Sequence, residues 1–407
     1  MMSGFAVPGY RPGVVSLLVG GMLYEGWKKV EITRSVREMA GSFTLEVSER
    51  WAPGMNGPST LMGFQRIREG DPCTVLYSGL PVITGYVDAY LPKYTATSHD
   101  VTIQGRSKTA DLVDSSADPD VENGEMREVG VDQIARKLAA KHGIDVKVDA
   151  QLRGTFDVAR VQPGETKHEM LERYARPGAV LLTDDALGNL RLLHVNGSGA
   201  FSLIEGVNIH EASATLRADN RYSDYEAKGQ DHGNDQRFGR EVSEITAKAK
   251  DGAIKRYRPF VVLNETKTSK QNAQDRCDWE ATSRAGESTR AEVTVIDWVH
   301  DGKLWMPGDV GPLMSPMLAI NRDMAIETTN LSQDESGTFA RLSLTPPEAL
   351  NPAAAGASGG GANAGSGGAA GSGEAPASDP AWTATKPTSG AIPWSGAAPG
   401  GTITGSR

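Results

Sequence analysis

The strongest constraint on the fold lies between Thr289 and Pro346, where turn signals recur too closely for anything but short strands. The centre reads Val295-Ile-Asp-Trp-Val-His-Asp-Gly-Lys-Leu-Trp-Met-Pro-Gly-Asp-Val310. Asp301-Gly302 and Pro307-Gly308 are turn dipeptides, because Gly takes positive φ at little cost and Pro presets φ at about −65°. The spacing predicts a strand over Ala291–Trp298, an aromatic clamp at Leu304-Trp305 and a new strand after Pro307-Gly308. Further strands are expected over Ala325–Leu331 and Phe339–Leu344. No reactive constellation falls in this stretch, and Trp305 and Pro307 read as core and turn residues first.

The opening hundred residues carry the same signature. Met1–Gly13 reads as a loose arm. Val14–Val19, Trp27–Arg34 and Ser42–Ser48 are strand-length, and in the last Phe43, Leu45 and Val47 alternate with polar neighbours, the period of a half-buried strand. Trp51–Gly63 is rich in Pro, Gly, Asn and Ser and reads as a surface loop. Asp71–Tyr77, Leu80–Tyr90 and Ser98–Gly105 complete the set, the first two joined at Ser78-Gly79. Strands this short and dense predict a small antiparallel barrel or sandwich.

Helical periodicity enters after Gly105. Ser107 or Thr109 can cap a short turn through Leu112, with Asp111 near its positive end. Val131–His142 places Ile134 and Leu138 on one face ahead of Gly143, and Thr166–Arg176 buries Met170, Leu171 and Tyr174 before Pro177-Gly178. Val180–Thr183 and Asn189–His194 come next as strands, which makes this an α+β unit. Ala212–Arg217 and Tyr222–Gly229 alternate again, Gln230–Gly239 is loop, and Ser269–Arg284 is a helix with Ala273, Cys277 and Ala281 on one face. Asn351–Arg407 is Ala/Gly/Ser/Pro-rich, with too little apolar bulk to offset its chain entropy, and reads as a flexible tail.

A net charge of −9 argues against a broad basic nucleic-acid footprint. Cys73 and Cys277 lie far apart, so a reduced cytoplasmic setting is expected rather than a disulfide framework. No segment nears the roughly 18 apolar residues of a membrane span, and no membrane anchor is expected. None of the seven histidines has metal-ligand spacing with another. Glu165, Glu169 and Glu172 share one helix face, whereas a glycosidase pair comes from facing elements. The chain is therefore expected to be no enzyme, with no catalytic, metal or cofactor site.

Two clusters resemble a known family. Gly105-Arg-Ser-Lys-Thr-Ala-Asp-Leu-Val-Asp-Ser-Ser-Ala117, carrying Gly105, Arg106, Lys108, Thr109, Asp111 and Leu112, is similar to a segment of the baseplate hub proteins of Mu-like contractile-tailed phages (late control protein D type). Asp297, Trp298, Gly302, Leu304, Trp305 and Pro307 resemble their second landmark. Tyr24-Glu-Gly-Trp27, Thr33-Arg34-Ser35 and Arg256-Tyr257-Arg258-Pro259 fit the same order of features.

The resemblance implies a β-rich α+β multidomain chain, similar to the hub of T-even phages. It would have two related antiparallel β-barrel tube domains, two smaller α/β accessory domains and a flexible C-terminal tail. The arm would be 1–13, the first barrel 14–116, an accessory domain 117–211, and the second barrel 212–231 with 289–350. Residues 232–288 would form an inserted accessory domain and 351–407 the tail. It further implies a homotrimer in the virion baseplate that joins a hexameric tail tube to a trimeric spike and contacts other baseplate proteins and tape-measure protein. DNA would pass through its lumen without specific binding. The alternatives are a tail-associated peptidoglycan hydrolase, which needs a catalytic domain, and a carbohydrate-binding tail-tip protein, which needs exposed tryptophans.

Overall fold

The computed structural model describes residues 13–49, 67–96, 98–117, 124–152, 154–229, 245–263 and 270–350. The arm before Gly13, the expected loops Trp51–Gly63 and Gln230–Gly239, and the tail 351–407 lie outside the described residues.

Strands dominate. In chain order they begin with β1 (Val15–Val19), β2 (Met22–Tyr24), β3 (Lys29–Ser35), β4 (Ser42–Glu49), β5 (Pro72–Tyr77), β6 (Leu80–Tyr94) and β7 (His99–Ser107). The middle of the chain holds β8 (Glu125–Val129), β9 (Val146–Asp149), β10 (Phe156–Arg160), β11 (Leu181–Asp184), β12 (Leu190–Leu193) and β13 (Leu203–Ile204). Next come β14 (Glu211–Leu216), β15 (Asp224–Gly229), β16 (Ile245–Lys250) and β17 (Pro259–Leu263). The last are β18 (Thr289–Ile296), β19 (Val299–His300), β20 (Lys303–Leu304), β21 (Val310–Ser315), β22 (Ile320–Asp334) and β23 (Gly337–Thr345).

One 13-stranded sheet contains both the first and the last of these strands, in the order β14-β18-β23-β22-β3-β4-β7-β6-β5-β1-β2, with β21 on β22 and β13 on β21. That order holds a repeat the sequence does not display. The run β3-β4-β7-β6-β5 is answered by β14-β18-β23-β22-β21, every neighbour antiparallel. Strand lengths agree as well: six residues in β5 and β21, 15 in β6 and β22, nine in β7 and β23, and eight in β4 and β18.

The two halves share one apolar core, in which Leu17, Ile32, Leu45 and Ile103 meet Val293, Leu313, Ile326 and Leu342. Full burial of each such side chain contributes about 1.5–3 kcal/mol. A second core, built on Met126, Ile134, Met170 and Leu192, belongs to the α+β unit between the halves. A third, around Tyr225, Ala247 and Cys277, lies under the helix Lys270–Glu287. Both cysteines are buried and unpaired.

Local expectations met specific fates. Thr166 caps the helix Lys167–Ala175 in a reciprocal box with Glu169, as its spacing allows. Thr109 stands at the N-cap of Ala110–Asp114, but its hydroxyl does not cap: it is buried and donates to the Met39 carbonyl at 2.7 Å. The expected grouping of 212–231 with 289–350 is split by strand pairing. β14 joins β18 in the large sheet, whereas β15 pairs with β16 and β17 in a sheet of its own. A period-two pattern marks a strand without naming its partner, so Tyr222–Gly229 reads alike in either sheet.

Candidate functional site

The described residues are organised by strand edges and by the residues that bend the strands. Each half of the repeat bends its long strand in the same way. β6 bulges at Asp88, between the pairs Val87–Gly105 and Ala89–Gln104; β22 bulges at Glu327, between Ile326–Leu344 and Thr328–Ser343. An extra residue in one strand of a pair sharpens its twist and re-aims the rest of the strand. Both bulges carry a carboxylate held by arginine. Asp88 pairs with Arg106 at 2.7 Å, while Glu327, nearly buried, pairs with Arg37 and lies 3.8 Å from Arg290.

Just before each bulge sits a matching clip. Gly70 N–H donates to the Val87 carbonyl at 2.7 Å and Val87 N–H to the Asp71 carbonyl at 3.0 Å. Gly308 N–H donates to the Ile326 carbonyl at 2.8 Å and Ile326 N–H to the Asp309 carbonyl at 2.9 Å. Gly70 and Gly308 adopt φ of 86° and 92°, a region open to Gly at no steric cost. Sequence reasoning takes Pro307-Gly308 only as a turn and passes over Gly70-Asp71. The dipeptide Gly-Asp immediately before β5 and β21 is the signal that could have found the pair.

The first landmark cluster lies beside the β6 bulge. Gly105 sits where a Cβ would come 2.3 Å from the Tyr86 carbonyl and 2.4 Å from the Phe43 ring. Arg106 bridges Asp88 and Asp114, both at 2.7 Å, and its hydrogen bond holds the Asp114 carboxyl below the usual range. Lys108 N–H donates to the Thr84 carbonyl, Thr109 is buried, Asp111 faces His142 at 3.6 Å, and Leu112 is buried in the second core.

The second landmark lies between β18 and β21. Asp297 takes φ of 75° and accepts from the Tyr77 hydroxyl at 2.7 Å and from Trp298 N–H at 2.6 Å. Trp298 is fully buried, packs its ring tilted against that of Tyr77 with centroids 4.7 Å apart, and donates its indole N–H to the Ser332 carbonyl. Trp305 is buried against Phe201 and His300, Leu304 packs at the core margin, Gly302 turns the β19–β20 hairpin, and Pro307 leads into the Gly308 clip. The two clusters lie at different stages of the two halves, the first from the end of β7 onward and the second between β18 and β21, rather than gathered into one pocket.

The halves meet where β22 pairs with β3, from Thr328–Ser35 to Gln333–Val30. Thr328 Oγ1 donates to Ser35 Oγ at 3.0 Å, Val36 N–H donates to the Glu327 carbonyl, and Leu331 and Ile32 are buried opposite each other. The seam starts at the bulge, so the bulge exposes that length of β22 edge to a partner strand.

The described residues hold no group of three or more metal-ligating side chains. Glu165, Glu169 and Glu172 are committed to Arg173, to the helix cap and to Arg176. Among them, no helix is long and apolar enough to cross a membrane.

Known proteins match this chain along most of their own length. Baseplate hub protein gp44 of Escherichia phage Mu is 30% identical over 348 residues, 82% of this chain and 88% of the phage protein. The chain belongs to the gp44-like baseplate hub family. Descriptions of that family's domains match in order: Mu phage baseplate assembly protein GpP-like, N-terminal, over 14–107; baseplate hub protein gp44-like, second domain, over 109–194; and Mu phage baseplate assembly protein GpP, fourth domain, over 269–353. The 43 kDa tail protein of prophage MuSo2 from Shewanella oneidensis is 33% identical, with a TM-score of 0.70 over 83% of this chain and 99% of that one. A tail protein from Neisseria meningitidis MC58 shares the fold at 21% identity, with a TM-score of 0.64 over 84% and 99%. This hub protein is accordingly a phage-type baseplate and tail component.

Proposed function

We propose that this hub protein is a homotrimeric ring that joins the tail tube to the central spike and lines part of the channel through which DNA leaves. The observation that carries the reading is the doubled five-strand unit. Three chains with two like units each offer six similar positions to a hexameric tube while keeping threefold symmetry for a trimeric spike. The two units would be the tube domains, and the segments between and within them the accessory domains. Landmark residues Gly105, Arg106, Lys108, Thr109, Asp111 and Leu112, with Asp297, Trp298, Gly302, Leu304, Trp305 and Pro307, would then be structural, setting strand curvature rather than binding a ligand. Other baseplate proteins and tape-measure protein would be its neighbours, and the net charge of −9 suits a lumen that passes DNA without holding it.

A carbohydrate-binding reading would draw on Trp27, Trp51, Trp279, Trp298 and Trp305; Trp298 and Trp305 are buried, which leaves half-buried Trp27 and Trp279 among the described residues. Light scattering of the purified chain tests the proposal. A mass about three times 43.2 kDa, with a ring in negative stain, supports it; a monomer at every concentration overturns it.

A further inference from the structure

The small sheet β16-β15-β17 has two outer strands, and the chain treats their edges differently. One face of this sheet is covered by the helix Lys270–Glu287, with Tyr225 and Ala227 of β15 and Ala247 of β16 in the core beneath it. Alternation then turns Lys248 and Lys250 of β16 to the open face, with Asp224, Glu226 and Lys228 of β15. An unpaired edge is a template for another chain, and lysines along it discourage pairing. β16 carries that protection. β17, Pro259-Phe-Val-Val-Leu263, has no charged residue, and among the described residues its outer edge has no partner strand.

The side chains of β17 divide between the two faces. Val262 is buried and Phe260 packs against the small core, while Pro259, Val261 and Leu263 alternate with them on the open face. Val261 is 48% exposed, Leu263 72%, and Tyr257, just ahead of the strand, 79%. An apolar stripe along an unpaired edge supplies both halves of strand addition: main-chain groups for hydrogen bonds and a surface for alternate side chains. Both ends of the stripe are basic. Lys255 and Arg256 are exposed ahead of Pro259, and exposed Lys228 stands opposite Leu263 in register. The carboxylates near its middle are answered within the sheet: Asp224 lies 3.8 Å from Lys250, and Glu226 stands opposite Lys248.

We infer that β17 takes up an extended segment of a different protein, apolar at alternate positions and acidic at its ends, as a fourth strand of this sheet. The five residues of β17 span roughly 16 Å, so a segment of like length covers them. A second copy of this chain does not fit as the occupant. Its β16 would bring Lys248 and Lys250 to an edge already flanked by Lys255, Arg256 and Lys228. Its β17, added antiparallel, would set Lys255 and Arg256 of one copy beside Lys228 of the other; added parallel, it would set those two cations beside themselves. Like charges in such places oppose pairing. The contact reaches outward to another protein, so it does not depend on the ring reading.

Peptide binding to the full chain, read by fluorescence anisotropy, tests the contact. The probe is fluorescein-labelled Glu-Thr-Val-Thr-Val-Thr-Glu. Beside it run an N-methylated copy that cannot donate main-chain hydrogen bonds and a copy with lysine at both ends. The first should bind saturably, and either change to the peptide should weaken binding at least about tenfold. Val261→Ser/Leu263→Ser, at exposed sites, should weaken the probe by a similar factor while leaving circular dichroism and solution mass unchanged. Lys255→Glu/Arg256→Glu should shift the preference toward the lysine-ended peptide. No saturable binding, or binding that the N-methylated copy retains, overturns the contact and leaves the ring reading standing. A fall in solution mass of the serine variant means that the stripe joins copies of this chain, which overturns the contact as well. A parent chain of monomeric mass overturns the ring reading alone, because the peptide assay reads either form.

Discussion

Arg34 and Asp184, 150 residues apart, form a buried ion pair in which Nη2 and Nε lie 2.8 and 3.2 Å from one carboxylate oxygen. The pair ties β3 to β11, and therefore the large sheet to the α+β unit. It is fully used: Nη2 also donates to the Asp184 carbonyl, Nη1 to the Val82 carbonyl, and the second carboxylate oxygen accepts from Gly41 N–H. Removing one partner strands a charge out of water, which costs about 3–5 kcal/mol, whereas replacing both with apolar residues can be near neutral. We expect Asp184→Asn to lower stability by that amount in urea titrations and Arg34→Met/Asp184→Leu to recover most of it. A double variant as weak as the single one contradicts this account.

Arg106 should tie stability to acid pH. Its hydrogen bond depresses the folded-state pKa of Asp114, so this contribution is present above the unfolded pKa and is lost as pH falls through the folded value. The group is more than half exposed, which limits the effect to less than about 1 kcal/mol. Arg106→Ala should weaken the chain near neutral pH and flatten this part of the dependence below about pH 4. Stability profiles of parent and variant that stay parallel from pH 6 to below that range would argue against the link.

How much of this was legible in the sequence depends on what each pattern encodes. Alternation at Phe43, Leu45 and Val47 announced β4, and Asp301-Gly302 announced the β19–β20 hairpin, because both are local. The repeat was hidden because its equivalent positions preserve role and not identity: Val87 answers Ile326, Asp88 answers Glu327, and Gly105 answers Leu344. Strands such as Val146–Asp149, with one buried residue in four, carry no apolar period to read. Arg34 sat in a resemblance segment, yet nothing near it in sequence pointed to Asp184. Open edges were invisible in principle, since an unpaired edge is defined by what lies beside it.

Glycine substitutions should separate a steric requirement from a conformational one. A Cβ at Gly105 would press on the backbone of β6, which cannot retreat without breaking its ladder with β7. At Gly302 φ is 75° and the surroundings are open, so Ala meets only the left-handed conformation, at about 1–2 kcal/mol. Gly105→Ala should cost about 3 kcal/mol or more. Equal losses in the two variants, measured by urea unfolding, would show that the approach of β6 and β7 is soft.

Cysteine reactivity gives a direct measure of core integrity. Burial pushes the Cys73 thiol up to about 12 and also raises that of Cys277, so neither forms thiolate near neutral pH. Both should resist a thiol reagent at pH 8 in the folded chain and react at once in denaturant. Rapid native labelling of Cys277 alone would mean that the unit under the helix Lys270–Glu287 opens independently of the large sheet.

Trp298 and Trp305 are both buried, but their indole nitrogens differ. Trp298 Nε1 donates to the Ser332 carbonyl at 3.0 Å, whereas Trp305 Nε1 is buried with no partner among the described residues. Phe in either place removes the same volume, so the cavity contributions are comparable. Trp298→Phe also strands the Ser332 carbonyl on β22, while Trp305→Phe removes a polar group that was never satisfied. A buried unsatisfied group costs about 1–3 kcal/mol, so the first substitution should be more damaging by at least about 1 kcal/mol. Urea unfolding of the isolated chain reads the difference. If Trp305→Phe proves the worse of the two, its indole N–H has a partner within the chain, and the junction of β13, β20 and β21 is packed differently from the arrangement described.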